Sequence, residues 1–174
     1  MLEQIKKEIS IPFRLLAKYQ NEGHAIYFFP NPGNTGDGLI LLATLNLFEK
    51  FHIKFRLTKK LDNLPPKSIL VYGGGGGIKG LYPGNLNFVS KLLDAKRPLF
   101  ILNHSILNAD DLLKKFHSDV YVWAREKRSF EYLSNFKQKS YKCFLNHDIA
   151  LSFDILDSKS SLHNAMRTGT KKRQ

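Results

Sequence analysis

The stretch Ile26-Tyr-Phe-Phe-Pro-Asn-Pro-Gly-Asn-Thr-Gly-Asp-Gly-Leu-Ile-Leu-Leu42 constrains the fold of this chain more than any other. Its first four residues are a continuous apolar run with strong strand preference, the pattern of a strand covered on both faces. Pro30, Pro32, Gly33, Gly36 and Gly38 then punctuate the backbone. Leu39, Ile40, Leu42, Ala43, Leu45, Leu47 and Phe48 follow as the crowded apolar stripe of a buried helix. Such a strand, turn and helix leaves backbone N–H groups unpaired at the helix start, where an anion or a hydroxyl-rich ligand can use them.

The rest of the chain repeats the alternation. Apolar runs predict further strands over 53–57, 68–72, 98–102, 119–123 and 141–145, and intervening periodic segments predict helices over 85–95, 110–116 and 129–136. Residues 2–20 read as one helix, or two broken near Pro12, packed on the sheet; a basic amphipathic helix touching a membrane surface is the alternative. Strands alternating with helices in this way predict βαβ units, that is, an α/β fold with a mostly parallel sheet and helices on both faces. The expected organisation is a helical segment over 1–22, the α/β domain over 23–157 and a basic tail over 158–174. That tail is rich in Ser, Lys, Thr and Arg without periodicity, and is expected to be disordered.

Ligands in such sheets bind beyond the carboxyl ends of the strands. The unusual features all fall there: the Asn34–Asp37 turn, the run Gly73-Gly-Gly-Gly-Gly77, Asn103-His104-Ser105, Arg125, and His147-Asp148. They are expected to converge on one crevice. Five consecutive glycines carry a large backbone-entropy cost, and a close approach of the backbone to a ligand explains them better than a flexible linker does.

Composition narrows the function classes. One Trp, seven Tyr and thirteen Phe in 174 residues argue for a globular domain. No apolar run approaches the roughly eighteen residues of a membrane span, and the N-terminus lacks a signal-peptide centre, so the expected location is cytoplasmic. The lone Cys143 excludes an internal disulfide and a thiolate zinc cluster, and reads as a small core residue. The formal charge of +12 implies attraction to an anionic partner. It is spread over several segments without a nucleic-acid-binding module, so nucleic acid is not expected.

Each candidate residue carries two readings. Asp37 either caps the helix that follows or accepts hydrogen bonds from sugar hydroxyls and acts as a base. The glycines lack both the Lys-Ser/Thr of a phosphate-binding loop and a clean G-x-G-x-x-G, which weakens nucleotide binding. His147-Asp148 resembles a phosphohydrolase metal pair, but no further ligands stand at helical spacing and no metal is expected. Arg125 opens the run Arg125-Glu-Lys-Arg128, an ordinary solvated surface by composition, yet its place directly after an apolar strand points it to the crevice as a clamp for carboxylate or phosphate.

Taken together, Asn31-x-Gly-Asn-x-Gly-Asp37, the apolar strand ending in Gly73 to Gly77, Ala124-Arg-Glu-Lys-Arg-Ser129 with Phe130-Glu-Tyr-Leu133, and His147-Asp-Ile-Ala150 resemble the polysaccharide pyruvyl transferase family over about residues 24–155. The resemblance implies a Rossmann-like domain, one half of a two-domain glycosyltransferase-like fold. It also implies transfer of pyruvate from phosphoenolpyruvate, as donor substrate and without a cofactor, to a sugar of a surface polysaccharide or its lipid-linked precursor, giving a ketal. On this reading Asp37 and either His147 or His104 serve as base and acid, Arg125 clamps the anion, and Asn34, Gly36, Gly74, Gly75, Gly76 and Asp148 contact substrate. The protein would work at the inner face of the membrane with a saccharide acceptor as partner. Two departures stand out: Asn103-His104-Ser105-Ile106 replaces the family's Pro-Gln-Ser/Thr-Ile stretch, and family members are usually much longer, with a second half carrying much of the donor site. The expectation is therefore an active relative that pairs with an oligomeric or second-domain partner, a truncated copy, or a non-catalytic glycan-binding or remnant domain of the same fold.

Overall fold

In the computed structural model, which describes residues 1–31, 33–58, 60–137 and 140–153, the chain forms a seven-stranded sheet. The expected tail over 158–174 and the domain boundary at 157 lie outside the described residues. Two helices, α1 (Leu2–Ile9) and α2 (Ile11–Asn21), precede β1 (Ala25–Phe29), α3 (Thr35–Lys50), β2 (Phe55–Leu57) and β3 (Ser68–Tyr72). There follow β4 (Gly75–Lys79), α4 (Pro83–Asp94), β5 (Leu99–Leu107), α5 (Asp110–Leu113), β6 (Val120–Ala124), α6 (Lys127–Ser134), β7 (Lys142–Leu145) and a 3₁₀ turn, Ile149–Ser152. The strands are ordered β2-β1-β3-β5-β6-β7, with β4 also paired to β5, and every pairing is parallel.

The period of two along each strand sorts side chains between two cores. In β1, Ile26 and Phe28 face the layer made by α1, α2 and α3, while Tyr27 and Phe29 face the layer of α4, α5 and α6. Ile69 and Val71 of β3, and Phe100 and Leu102 of β5, join the first core; Leu70 and Tyr72, with Leu99 and Ile101, join the second. The N-terminal segment is part of this architecture, since Ile9, Phe13 and Leu16 are fully buried against the sheet. The break between α1 and α2 lies at Ser10, and Pro12 sits in the first turn of α2, where its missing N–H has no partner to lose.

The α/β expectation holds, and three local differences have physical causes. The glycine run, expected beyond the end of the third strand, forms in its second part a strand of its own: Gly75, Ile78 and Lys79 pair with His104, Ile106 and Leu107 across an irregularity in the register. Asn103, His104 and Ser105, expected to follow the fourth strand, lie within the nine-residue β5 and are buried, because β4 and β6 flank them on both sides. The segment 34–37, expected as a turn, includes the N-cap and first turn of α3: the Asn34 side chain accepts bonds from the Gly36 and Asp37 amides, and the Asp37 carboxylate accepts one from the Asn34 amide. Cys143 is half-buried on β7, 3.5 Å from the Ser134 hydroxyl.

Phe48 anchors the α3 face. Its ring makes edge contacts with Phe13 of α2 and Phe28 of β1 and lies 4.6 Å from the Phe55 ring of β2, so one residue joins four elements. Phe48→Ala is expected to lower unfolding stability by about 3–5 kcal/mol, read as a reduced midpoint in urea with an unchanged slope.

Candidate active site

The segments that follow β1, β6 and β7, with β4 itself and the starts of α3 and α4, line one cleft of about 620 Å³. Its floor is β4. Gly76 and Gly77 expose bare backbone there, and the surrounding side chains occupy the room that Cβ atoms would need. A Cβ on Gly77 would fall 2.0 Å from Nδ2 of Asn85, one on Gly75 would fall 2.4 Å from Nδ2 of Asn31, and one on Gly76 would fall 3.2 Å from Nη2 of Arg125. Gly75 also takes a positive φ of 149°, a conformation other residues rarely adopt. The glycines thus serve close packing between this strand and the polar side chains that line the cleft.

His104 fixes the strand from below. Its Nδ1 lies 3.2 Å from the Gly73 carbonyl, which can only accept, so Nδ1 carries the proton; Nε2 in turn accepts a bond from the Gly77 amide at 3.1 Å. Burial, reinforced by the positive charge of Arg125, holds the imidazole pKa down to about 3. The ring is therefore neutral, fully engaged and closed off from solvent.

Arg125 follows β6 and forms one wall. Its Nε donates to the Ser105 hydroxyl at 2.7 Å, and its Nη1 donates to Asp148 Oδ2 at 2.8 Å. Ser105 donates to Glu126, whose other oxygen accepts from Ser129, and the Ser129 hydroxyl accepts the Ile106 amide. Asp148 is held by the Ala150 amide. Two edges of the guanidinium are thus committed, leaving Nη2 at the glycine floor. Lys79, at the end of β4, lines the same cleft, and its ammonium has no hydrogen bond or ion pair with any described residue.

A second relay centres on Asn31, between β1 and α3. Asn31 donates to Asp37 Oδ1 at 3.2 Å and accepts from the Tyr72 hydroxyl at 2.7 Å and, at 3.4 Å, from Asn85. Burial, together with the charge of Asp37, raises the Tyr72 pKa, so the phenol stays protonated and donates. Both oxygens of Asp37 accept protein bonds, one from Asn31 and one from the Asn34 amide.

Of the residues singled out in the sequence, Asn34, Gly36, Asp37, Gly76, Arg125 and Asp148 line the cleft together. His104, Gly74 and Gly75 lie beneath it, buried in the sheet. His147 does not line it; its Nε2 lies 2.8 Å from Glu8 of α1, while its carbonyl accepts a bond from Asn103. Lys79, Tyr82 and Asn85 are cleft residues that sequence reasoning passed over, and Asn31, which opens the motif ending at Asp37, joins them there. The one available signal was the Pro-Gly pair at 83–84, which marks a helix start directly after the glycine strand.

The polysaccharide pyruvyl transferase family model matches residues 34–173. The chain belongs to that family. It is 31% identical over 117 residues to EpsO of Bacillus subtilis (strain 168), which carries a provisional pyruvyl transferase name; the match covers 59% of this chain and 36% of EpsO. It is also 31% identical over 116 residues to the shikimate dehydrogenase (NADP(+)) of Buchnera aphidicola subsp. Schizaphis graminum (strain Sg), a match covering 66% of this chain and 33% of that enzyme. Among solved structures, a functionally uncharacterized protein of Klebsiella pneumoniae subsp. pneumoniae NTUH-K2044 superposes with a TM-score of 0.69 at 28% identity, over 84% of this chain and 58% of the other. The matches to the two curated relatives thus span about a third of each relative's length. The family motif around Asn31–Asp37 and the Arg125 segment fall on facing walls of the cleft, which gives the pyruvyl transferase resemblance a shared location. Among the described residues no helix is long and apolar enough to cross a membrane, and no group of His, Cys, Asp and Glu could hold a metal ion.

A buried imidazole that stays neutral in the fold must be protonated in the unfolded chain below its ordinary value of 6.5. Between about 6.5 and about 3 the unfolded state binds the extra proton, so unfolding stability falls as pH falls across that window. The His104 contribution has a limiting slope of about 1.4 kcal/mol per pH unit. Urea unfolding at a series of pH values is expected to show a shallower acid loss for His104→Gln than for the wild type, although the variant starts from lower stability at pH 7.

Proposed function

We propose that the cleft binds phosphoenolpyruvate beside a saccharide and transfers pyruvate to it as a ketal, with release of phosphate. The observation that carries this reading is the guanidinium of Arg125, fixed at two edges by Ser105 and Asp148 and presenting Nη2 over the Cβ-free backbone of Gly76. An oriented guanidinium over bare backbone suits a planar carboxylate or a phosphate, because the anion can reach the donor without displacing a side chain. Lys79 supplies a second cation, so the cleft can offset more than one negative charge on the donor. Family membership and the similarity to EpsO support the transferase class.

The reaction needs a proton on the methylene carbon of phosphoenolpyruvate, which leaves C2 cationic. One sugar hydroxyl adds to C2 and gives up its proton; a second hydroxyl then displaces phosphate, which takes up that hydroxyl's proton as it leaves, closing the ketal. Arg125 and Lys79 are placed to hold the donor anion through both steps and to stabilise the departing phosphate. Asp37 and Asp148 are the carboxylates of the cleft. Asp148 is assigned the orientation of Arg125. Asp37 is assigned the sugar-facing side and the acceptance of a hydroxyl proton, for which its bond from Asn31 must be exchanged for one from the sugar. His104 is assigned the support of the glycine floor, since neither ring nitrogen is free. The reaction is placed in the cytoplasm at the inner face of the membrane, where a lipid-linked acceptor would be met.

Glycan binding without turnover is the second reading, favoured by the engagement of both Asp37 oxygens in the α3 cap and the Asn31 relay. Phosphate release from phosphoenolpyruvate in the presence of a panel of glycosides separates the two. Arg125→Lys, which keeps the charge and loses the fixed fork, is expected to reduce that release by about a hundredfold at unchanged melting temperature. Wild-type release from the Arg125→Lys protein would remove the guanidinium from the reading.

A further inference from the structure

The two walls of the cleft differ in chemistry, and the difference assigns a place to the acceptor. Arg125 and, at the end of β4, Lys79 bring its cations, with Asp148 held on Arg125; the starts of α3 and α4 bring Tyr82, Asn85 and Asn34 together with the Asp37 carboxylate, and no cation. Tyr82 is 53% exposed although it lines a concave site. Its backbone is fixed: its amide donates to the Lys79 carbonyl at 2.9 Å, and its carbonyl accepts from the amides of Asn85 and Leu86. Gly80, in the same turn, sits so close to Asn108 that a Cβ would fall 2.9 Å from that residue's carbonyl oxygen, so the turn is braced from behind. The Asn85 amide lies over Gly77 and makes only a long 3.4 Å bond to Asn31. Its side-chain oxygen accepts no bond from any described residue.

We infer that Tyr82 and Asn85 form the saccharide subsite, with the Tyr82 ring as the platform for one apolar face of a neutral pyranose and Asn85 as the hydroxyl-reading amide. This rests on the transfer reading only for the sugar's role as acceptor; the binding itself does not depend on turnover. The chemistry follows from the groups. A pyranose presents C–H bonds on its ring faces and hydroxyls at its rim, so it matches an exposed aromatic ring carried on a held backbone beside an amide that both donates and accepts. An anion finds no cation among Tyr82, Asn85, Asn34 and Asp37 and is drawn to Arg125 and Lys79 instead. A volume of about 620 Å³ accommodates a three-carbon phosphate and one hexose together.

The experiment uses the full chain and two separate readouts: saturation-transfer NMR with a panel of methyl hexopyranosides, and calorimetric titration with phosphoenolpyruvate alone. At least one glycoside is expected to bind the wild type. Tyr82→Ala is expected to weaken it about tenfold, equivalent to about 1.4 kcal/mol, while Tyr82→Phe retains it and the phosphoenolpyruvate isotherm of both variants stays that of the wild type. Asn85→Ala is expected to change which glycoside of the panel binds best. Unaltered glycoside binding in Tyr82→Ala, or a wild type that binds no member of the panel, overturns the inference. A wild type that binds glycosides through Tyr82 yet neither binds nor cleaves phosphoenolpyruvate leaves the subsite standing and removes the transfer reading instead. Because Tyr82 is exposed and makes no side-chain hydrogen bond to any described residue, a melting temperature equal to that of the wild type is expected for its variants.

Discussion

A single buried imidazole holds the floor of the cleft in place. His104 donates from one nitrogen to the Gly73 carbonyl and accepts the Gly77 amide at the other, so it spans the point where β3 gives way to β4. Glycine strands lack the side-chain packing that stabilises other strands, and each residue loses more conformational freedom on folding. Two hydrogen bonds from a desolvated, neutral ring offset part of that loss at the position where the register with β5 slips. The cost appears elsewhere, as a histidine whose protonation the fold disfavours through burial and the nearby Arg125 charge.

Around that floor, polar side chains are held by partners that leave few degrees of freedom. The Arg125 guanidinium is fixed by Ser105 and Asp148, and Ser105 in turn by Glu126. The cap of α3 serves two ends: Asn34 and Asp37 close the helix start on each other, and Asp37 then ties through Asn31 to Tyr72 of β3. Preorganisation of this kind limits the reorganisation left for the moment of binding. The same ties explain why the glycines cannot be exchanged: Asn31, Asn85 and Arg125 occupy the space where their side chains would stand.

The division of charge between the walls gives the site its direction. Positive groups gather at the ends of β4 and β6, while amides, an aromatic ring and the Asp37 carboxylate gather at the starts of α3 and α4. The net charge of +12 gives the surface a general attraction for anions, and the local arrangement selects where in the cleft an anion rests. The loop carrying Asp148 is also tied to α1, through His147 to Glu8 and Asn146 to the Glu8 carbonyl. The N-terminal helices therefore brace the charged wall, besides closing one face of the sheet.

The alternation of apolar strands and amphipathic helices was enough to establish a parallel α/β sheet with helices on both faces, because burial on both sides of a strand leaves a continuous apolar run that sequence displays directly. The same logic placed Asn34, Gly36, Asp37, Arg125 and Asp148 near the carboxyl ends of strands, since each directly follows or closely trails such a run. Where the pattern weakened, it misled. The glycines at 75–77 carry no strand preference of their own and become a strand because β5 extends beyond Leu102 to pair with them. That extension turned His104 from an exposed candidate acid into a buried support. His147 was drawn out of the cleft by Glu8, 139 positions away in the chain. Tyr82 and Asn85 were invisible because an exposed tyrosine and asparagine at a helix start look like any surface. Sequence alone fixes local preference and periodicity, which depend on neighbours in the chain; which nitrogen is occupied, which charge is paired and which ring faces an open cleft depend on groups far apart in sequence, and only the packed tertiary structure decides them.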